Sequence, residues 1–254
     1  MGTQADDPLS LDGRVAVVTG AGRGIGAATA KVMARAGALV ALVDADGAGV
    51  SQTAQEIAVE GGEALAFHND VTDSFTIEGL LDRVVHEWGR LDILVNNAGI
   101  VTESPLVDMT DEVWARTFEV NLRGVMFCTR LAVPHMLEHG WGRILSATSS
   151  VALSGAPGTT AYAASKAGII GMTRTWAREF GPHGVTANAV APGLIDSEIG
   201  HVLCGTSVAE RAAATPAGRL GTPEEVANVY LFLASNLASH INGTVVRVDG
   251  GLLL

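Results

Sequence analysis

The stretch VAVVTGAGRGIG, residues 15–26, runs from a short apolar segment into a turn with glycine at 20, 22, 24 and 26, then directly into an amphipathic segment, Gly24–Ala36. Glycines let the backbone turn tightly and come close to a ligand. A helix that starts at such a turn presents unpaired N–H groups and the positive end of its dipole, a local site for a phosphate. A glycine-rich turn alone is a weak signal. Strand, turn and helix in that order are a strong one.

The same alternation continues through the chain. Further apolar runs stand at Leu39–Val43, Ala64–Phe67, Ile93–Val95, Ile144–Ala147, Val185–Val190 and Thr244–Val248. Runs that are apolar throughout suit strands covered on both faces. Between them lie helical patterns at Gly49–Val59, Phe75–Trp88, one long segment from about Asp111 to Leu137, Ala161–Phe180 and Pro223–Leu233. Seven strands alternating with helices predict an α/β, doubly wound Rossmann fold, with a seven-stranded parallel sheet and helices on both faces. With no linker, repeat or low-complexity tract, residues 1–254 read as one dinucleotide-binding and catalytic domain, with a flexible N-terminus over 1–10.

Composition narrows the function. Of 254 residues, 48% are hydrophobic and 17% charged, with a formal net charge of −11 and no basic run. Nucleic acid and anionic membranes need a positive footprint, so neither is an expected partner. The longest uncharged stretch, Ile144–Ser165, is interrupted by Ser, Thr, Gly and Pro and cannot span a bilayer. MGTQADDPLS lacks the charged and apolar regions of a secretory leader, and Cys128 and Cys204 are too few for a disulfide framework. These features predict reduced thiols and a cytoplasmic location, and no metal site is expected.

In a doubly wound sheet, ligands bind beyond the carboxyl ends of the strands. Asp44 ends the second apolar run, twenty residues past Gly24. A carboxylate there can hold both hydroxyls of an adenosine ribose and repel a 2′-phosphate. Ala45 supplies no cation, although Arg23 in the glycine turn could reach such a phosphate. The balance favours NAD over NADP.

Residues 161–168 read AYAASKAG, placing Tyr162 and Lys166 four apart among small residues. On a helix, residues four apart share a face. Alone, such a pair is most simply a polar pair on a helix surface. Its company changes that reading. The T-G-x-x-x-G-x-G spacing from Thr19, NNAG at 96–99 after the fourth run, Y-x-x-x-K at 162–166 and VDGG at 248–251 resemble the short-chain dehydrogenase/reductase family, in the expected order from Leu11 to Leu252.

The resemblance implies a catalytic set of Asn121, Ser149, Tyr162 and Lys166. Ser149 lies thirteen residues before Tyr162, while an alternative register of ATSS selects Ser150. It also implies cofactor contacts from Gly20, Arg23, Gly24, Ile25 and Gly26, from Asp44, from Asp70 and Val71, and from Asn97, Ala98 and Gly99. Tyr162 and Lys166 would touch the nicotinamide ribose. Pro192, Gly193, Ile195 and Ser197 would hold the carboxamide, with Ser197 where the family more often has Thr. A homotetramer built on the two long helices is implied as well.

Oxidising a secondary alcohol removes a hydride from carbon and a proton from oxygen. A free tyrosine titrates near ~10, and a cation one turn away, assisted by the positive nicotinamide, is expected to lower that value. A substrate pocket is expected from Val101, Ser149, Leu153, Tyr162, Leu194 and Leu203, under a lid over about 194–215. Its apolar and neutral content favours an alcohol or ketone of low charge. A 3-oxoacyl thioester reductase using NADPH, a non-catalytic dinucleotide sensor and an isomerase or dehydratase on the same fold are the alternatives.

Overall fold

The computed structural model describes residues 7–197 and 207–253. Seven strands form one parallel sheet: β1 (Val15–Thr19), β2 (Leu39–Asp44), β3 (Ala64–His68), β4 (Ile93–Asn96), β5 (Gly142–Ala147), β6 (Val185–Pro192) and β7 (Val245–Val248). Their spatial order is β3-β2-β1-β4-β5-β6-β7. Chain order therefore reverses between β1 and β4, and a crevice opens above that junction.

Alternation along the strands divides the apolar residues into two cores. Ala16, Val18, Val40, Leu42, Ile93 and Val95 face one layer, where α1 (Gly24–Arg35), α2 (Gly47–Val59) and α9 (Pro223–Ala234) add Met33, Ile57 and Tyr230. Val15, Val17, Ala41, Val43 and Leu94 face the other layer. There α3 (Ser74–Trp88), α5 (Val125–Glu138) and α7 (Thr160–Phe180) contribute Leu80, Val84, Cys128, Met136 and Ala177. Because both faces are covered, β1, β4 and β5 carry no exposed residue.

The segment from Asp111 to Leu137 is not one helix. It divides into α4 (Asp111–Phe118), a π-helical turn (Glu119–Gly124) and α5. The apolar pattern does not encode the break, which follows tertiary contacts. Asn121 is drawn to the backbone of Ile100, and Gly124 presses on Val71 so closely that a Cβ would lie 2.9 Å from its Cγ2. Two short helices fall below sequence resolution: α6 (Val151–Ser154) and α8 (Val208–Ala214), the latter started by a Ser207–Glu210 capping box. Gly168 packs against Leu122, where a Cβ would approach to 2.9 Å, so the small residues of AYAASKAG let α7 lie against the π-helical turn.

At the opposite end of the sheet, the buried Asp92 carboxylate accepts from Arg14 (3.0 Å), from Arg90 (2.7 and 2.6 Å) and from the Val15 N–H (2.9 Å). It thereby ties the start of β4 to the start of β1. Removing it leaves two cations and a buried N–H without their acceptor. We expect Asp92→Ala to cost about 2–3 kcal/mol in urea unfolding, and a loss below ~1 kcal/mol would show that the cluster is peripheral to the fold.

Candidate active site

The crevice above β1 and β4 is a cavity of about 630 Å³. Its floor is the glycine turn. Gly20 has φ of 65°, and a Cβ there would lie 2.8 Å from Ala98 Cα. Asn97 clamps the turn by donating from Nδ2 to the carbonyls of Thr19 (3.2 Å) and Gly20 (3.1 Å). Thr19 Oγ1 accepts in return from the N–H groups of Asn97 and Ala98. Gly20, Arg23, Gly24 and Ile25 line the cavity. Gly26 does not: it packs beneath the turn, where a Cβ would come within 1.9 Å of the Gly20 carbonyl oxygen.

Asp44 stands at the side of this floor. Its Oδ2 accepts from the Gly22 N–H (2.8 Å) and its Oδ1 from the Asp46 N–H (2.9 Å), so the carboxylate is fixed in place. Asp70 and Val71 line the next stretch of wall, and Arg116 of α4 reaches Asp70 at 3.3 Å. Burial raises the Asp70 carboxyl pKa, but hydrogen bonds from Thr72 and Arg116 outweigh it and hold the group below its ordinary value.

The far end of the cavity gathers Ser149, Tyr162 and Lys166 with Pro192, Gly193, Ile195 and Ser197. Ser149 and Tyr162 share this wall, and the Ser149 oxygen accepts from the Val151 N–H (3.2 Å) at the start of α6. Ser150 is not on the cavity wall, and its N–H is spent on the Pro192 carbonyl (2.9 Å). Lys166 Nζ donates to the Ala147 carbonyl (2.9 Å) and lies 5.9 Å from the centre of the Tyr162 ring. Gly99 leaves room for that ammonium, since a Cβ there would be 3.2 Å from Nζ.

Asn121 lies behind this wall and is fully buried. Its amide is committed to Ile100 N (2.8 Å), Ile100 O (2.9 Å) and Ser165 Oγ (3.2 Å). A cavity with backbone donors at a helix start, the fixed Asp44 carboxylate on one part of its wall and Ser149, Tyr162 and Lys166 on another fits a dinucleotide with its reactive ring toward the tyrosine. The glycine turn supplies the cradle, and a Cβ at Gly20 would close it.

Comparison with known proteins agrees with that geometry. The family model described as Enoyl-(Acyl carrier protein) reductase matches residues 20–253. The 3-oxoacyl-[acyl-carrier-protein] reductase of Thermotoga maritima is 41% identical over 246 residues, covering 97% of this chain and all of that protein. This chain belongs to the short-chain dehydrogenase/reductase family.

Two solved structures extend the likeness. A putative NAD(P)-dependent gluconate 5-dehydrogenase from Beutenbergia cavernae, with NADP bound at low occupancy, superposes with a TM-score of 0.91 at 41% identity, covering 97% of this chain and 99% of that one. A 7α-hydroxysteroid dehydrogenase complexed with NADH and 7-oxo glycochenodeoxycholic acid gives 0.93 at 35% identity, covering 96% of each chain. This dehydrogenase/reductase is accordingly a nicotinamide-dependent enzyme acting on CH–OH and keto groups.

Several expectations need adjustment. Val101 and Leu194 do not line the cavity but adjoin residues that do, Leu153 is exposed away from its wall, and Leu203 lies outside the described residues. The chain's own groups do not by themselves supply the lowering of the Tyr162 phenol that Lys166 and a positive nicotinamide are expected to give together. Burial raises its pKa above the ordinary value, the Ser149 hydrogen bond opposes that only in part, and burial pushes the Lys166 ammonium down to about 8. Desolvation wins because the site is nearly sealed and Lys166 is turned to a carbonyl.

Sequence reasoning also missed Thr148, Ser165, Arg116 and Asp46. Thr148 donates to the Lys166 carbonyl (2.7 Å), and Ser165 links Asn121 to the Tyr162 carbonyl (2.8 Å). Both sit inside strings the sequence singles out. Arg116 and Asp46 carry no motif. Among the described residues, no helix is long and apolar enough to cross a membrane, and no group of three His, Cys, Asp or Glu side chains could hold a metal.

The Lys166 ammonium makes a stability prediction possible. Its folded pKa, near 8, lies below the unfolded value of ~10.4, so the unfolded chain binds more protons between them. The penalty is fully present below pH 8 and fades as pH rises toward ~10.4. Lys166→Met should therefore gain about 3 kcal/mol in urea unfolding at pH 7, with the advantage over wild type shrinking toward pH 10. No gain at pH 7 would contradict a strained ammonium.

Proposed function

We propose that this protein is an NAD-preferring dehydrogenase and ketone reductase for secondary alcohols of low charge. Ser149 and Tyr162, together on the wall at the end of the cavity with Lys166 four residues along the same helix as Tyr162, carry this reading. When bound, the nicotinamide supplies the hydride chemistry. Tyr162 takes the proton from the substrate hydroxyl during oxidation and returns it during reduction. Ser149 hydrogen-bonds the same oxygen and stabilises the charge that develops on it. Lys166 binds the ribose and favours the phenolate. Asn121 holds the π-helical turn and orders a proton path toward Lys166.

The preference for NAD rests on Asp44, whose carboxylate is pinned by two backbone N–H groups where a ribose would lie. The solved relatives divide on this point, one holding NADP and the other NADH. A second reading, an NADPH-dependent reductase of 3-oxoacyl thioesters, draws on the relative named for that reaction and on the NADP-bound structure. The lid expected over about 194–215 takes in residues 198–206, which lie outside the described residues, and the same reading carries a cytoplasmic homotetramer, supported by Trp114 and Leu137 exposed on α4 and α5. Light scattering reads the assembly state.

A panel of secondary alcohols, ketones and a 3-oxoacyl thioester, followed by NADH and NADPH absorbance, tests both readings. We expect a higher kcat/KM with NAD(H) on a simple alcohol or ketone; equal or better rates with NADPH would overturn the preference. Tyr162→Phe and Ser149→Ala should lower kcat by about 10²-fold or more, and Ser150→Ala by less than about threefold. Equal losses at the two serines would reassign that role. Because burial raises the phenol, the oxidation rate should climb as pH rises above neutrality; a flat profile would remove Tyr162 as the base.

A further inference from the structure

The chain contains a single Asn-Gly pair, Asn242-Gly243, at the entry to β7. Asparagine before glycine is chemically labile, because no side chain shields the glycine nitrogen from the neighbouring side-chain amide. Here both reacting groups are held. Asn242 Oδ1 accepts from the Ala187 N–H (2.9 Å) of β6, and Nδ2 donates to the Ala177 carbonyl (3.0 Å) of α7. The Gly243 nitrogen donates to the Ala187 carbonyl (2.8 Å). Asn188 ties down both flanks: its Nδ2 donates to the Ile241 carbonyl (2.8 Å), and its Oδ1 accepts from the Thr244 N–H (3.2 Å). Asn242 is nonetheless exposed to water.

We propose that Asn242 is a deamidation site, unlocked when β7 parts from β6, whose modification loosens the wall of the cofactor cavity. Once the Gly243 N–H leaves the Ala187 carbonyl, the nitrogen loses its proton to solvent and attacks Asn242 Cγ. A bond forms between that nitrogen and Cγ, the Cγ–Nδ2 bond breaks, and ammonia departs, leaving a cyclic imide. Water opens the ring to aspartate or isoaspartate. The sum is one water consumed and one ammonia released, with no redox change. Either product puts a carboxylate where an amide stood, and a carboxylate has no hydrogen to donate to the Ala177 carbonyl. Isoaspartate also adds a backbone methylene just before the strand, which strains the pairing of Val245–Val248 with Ala189–Pro192. That ladder ends at the cavity. The Val248 carbonyl accepts the Gly193 N–H (2.9 Å), and Pro192 and Gly193 are part of the cavity wall.

Incubation of the full chain at mildly alkaline pH, followed by peptide mass mapping and enzymatic labelling of isoaspartate, tests the proposal. We expect modification at Asn242 ahead of every other asparagine, more slowly than in the urea-unfolded chain. Saturating NADH or NADPH should slow it by at least about fivefold, since a ligand that binds the closed wall opposes its opening. The aged fraction, separated by its added negative charge, should bind the same cofactor at least about threefold more weakly in fluorescence titration. Asn242→Gln, which cyclises poorly, should keep its affinity through the same incubation. No modification of Asn242 in the folded chain, or a rate equal to that of the unfolded chain, would overturn control by the β7 clamp. An aged fraction with unchanged cofactor affinity would overturn the link from Asn242 to the cavity.

Discussion

Asn97 crosses from the end of β4 to two carbonyls at the end of β1, and the architecture of the site depends on that crossing. Strands β1 and β4 are neighbours in space, yet the chain leaves them toward different parts of the sheet. A crevice between diverging connections is useful only if its floor is rigid. Thr19 and Asn97 supply that rigidity with reciprocal hydrogen bonds that hold the glycine turn and the Asn96–Gly99 segment at contact distance. Gly20 and Gly26 permit it, because any side chain at either would collide with backbone. An acidic protein can thus hold a dinucleotide with oriented amides rather than with a field of lysines.

From that floor, opposite requirements are met at the two ends of the cavity. One part of the wall is acidic, with Asp44 held by backbone N–H groups. The reactive end is sealed, and burial raises the Tyr162 phenol while lowering the Lys166 ammonium. Sealing disfavours charge on either side chain, so the fold carries a cost at its most functional point. The surrounding network limits that cost: Thr148 and Ser165 fix the backbone of α7, and the π-helical turn brings Asn121 against Ile100. Disruption of a helix at a functional site is a recurrent use of π geometry.

Much of this was legible in the chain. Apolar runs of uniform character marked seven buried strands, and the glycine turn between the first strand and the first helix marked the binding edge. Spacing alone put Tyr162 and Lys166 on one face, and counting back from Tyr162 pointed to Ser149. In three dimensions Ser149 and Tyr162 line the same cavity, while the Ser150 N–H is bonded to Pro192. Less legible were Arg116 and Asp46, which enter the site from positions with no motif, and the break in the helix around Asn121.

The sequence by itself determined the layer pattern, the strand count, the phosphate-binding edge and the pairing of phenol with ammonium, because these depend on residue type and local period. Only the tertiary structure decided which of the two serines lines the cavity and where the long helix breaks. It alone decided that Gly26 packs beneath the turn instead of lining the cavity, and that burial outweighs the neighbouring charge at Tyr162. Those outcomes depend on distances between segments far apart in the chain, and on how completely water is excluded where they meet.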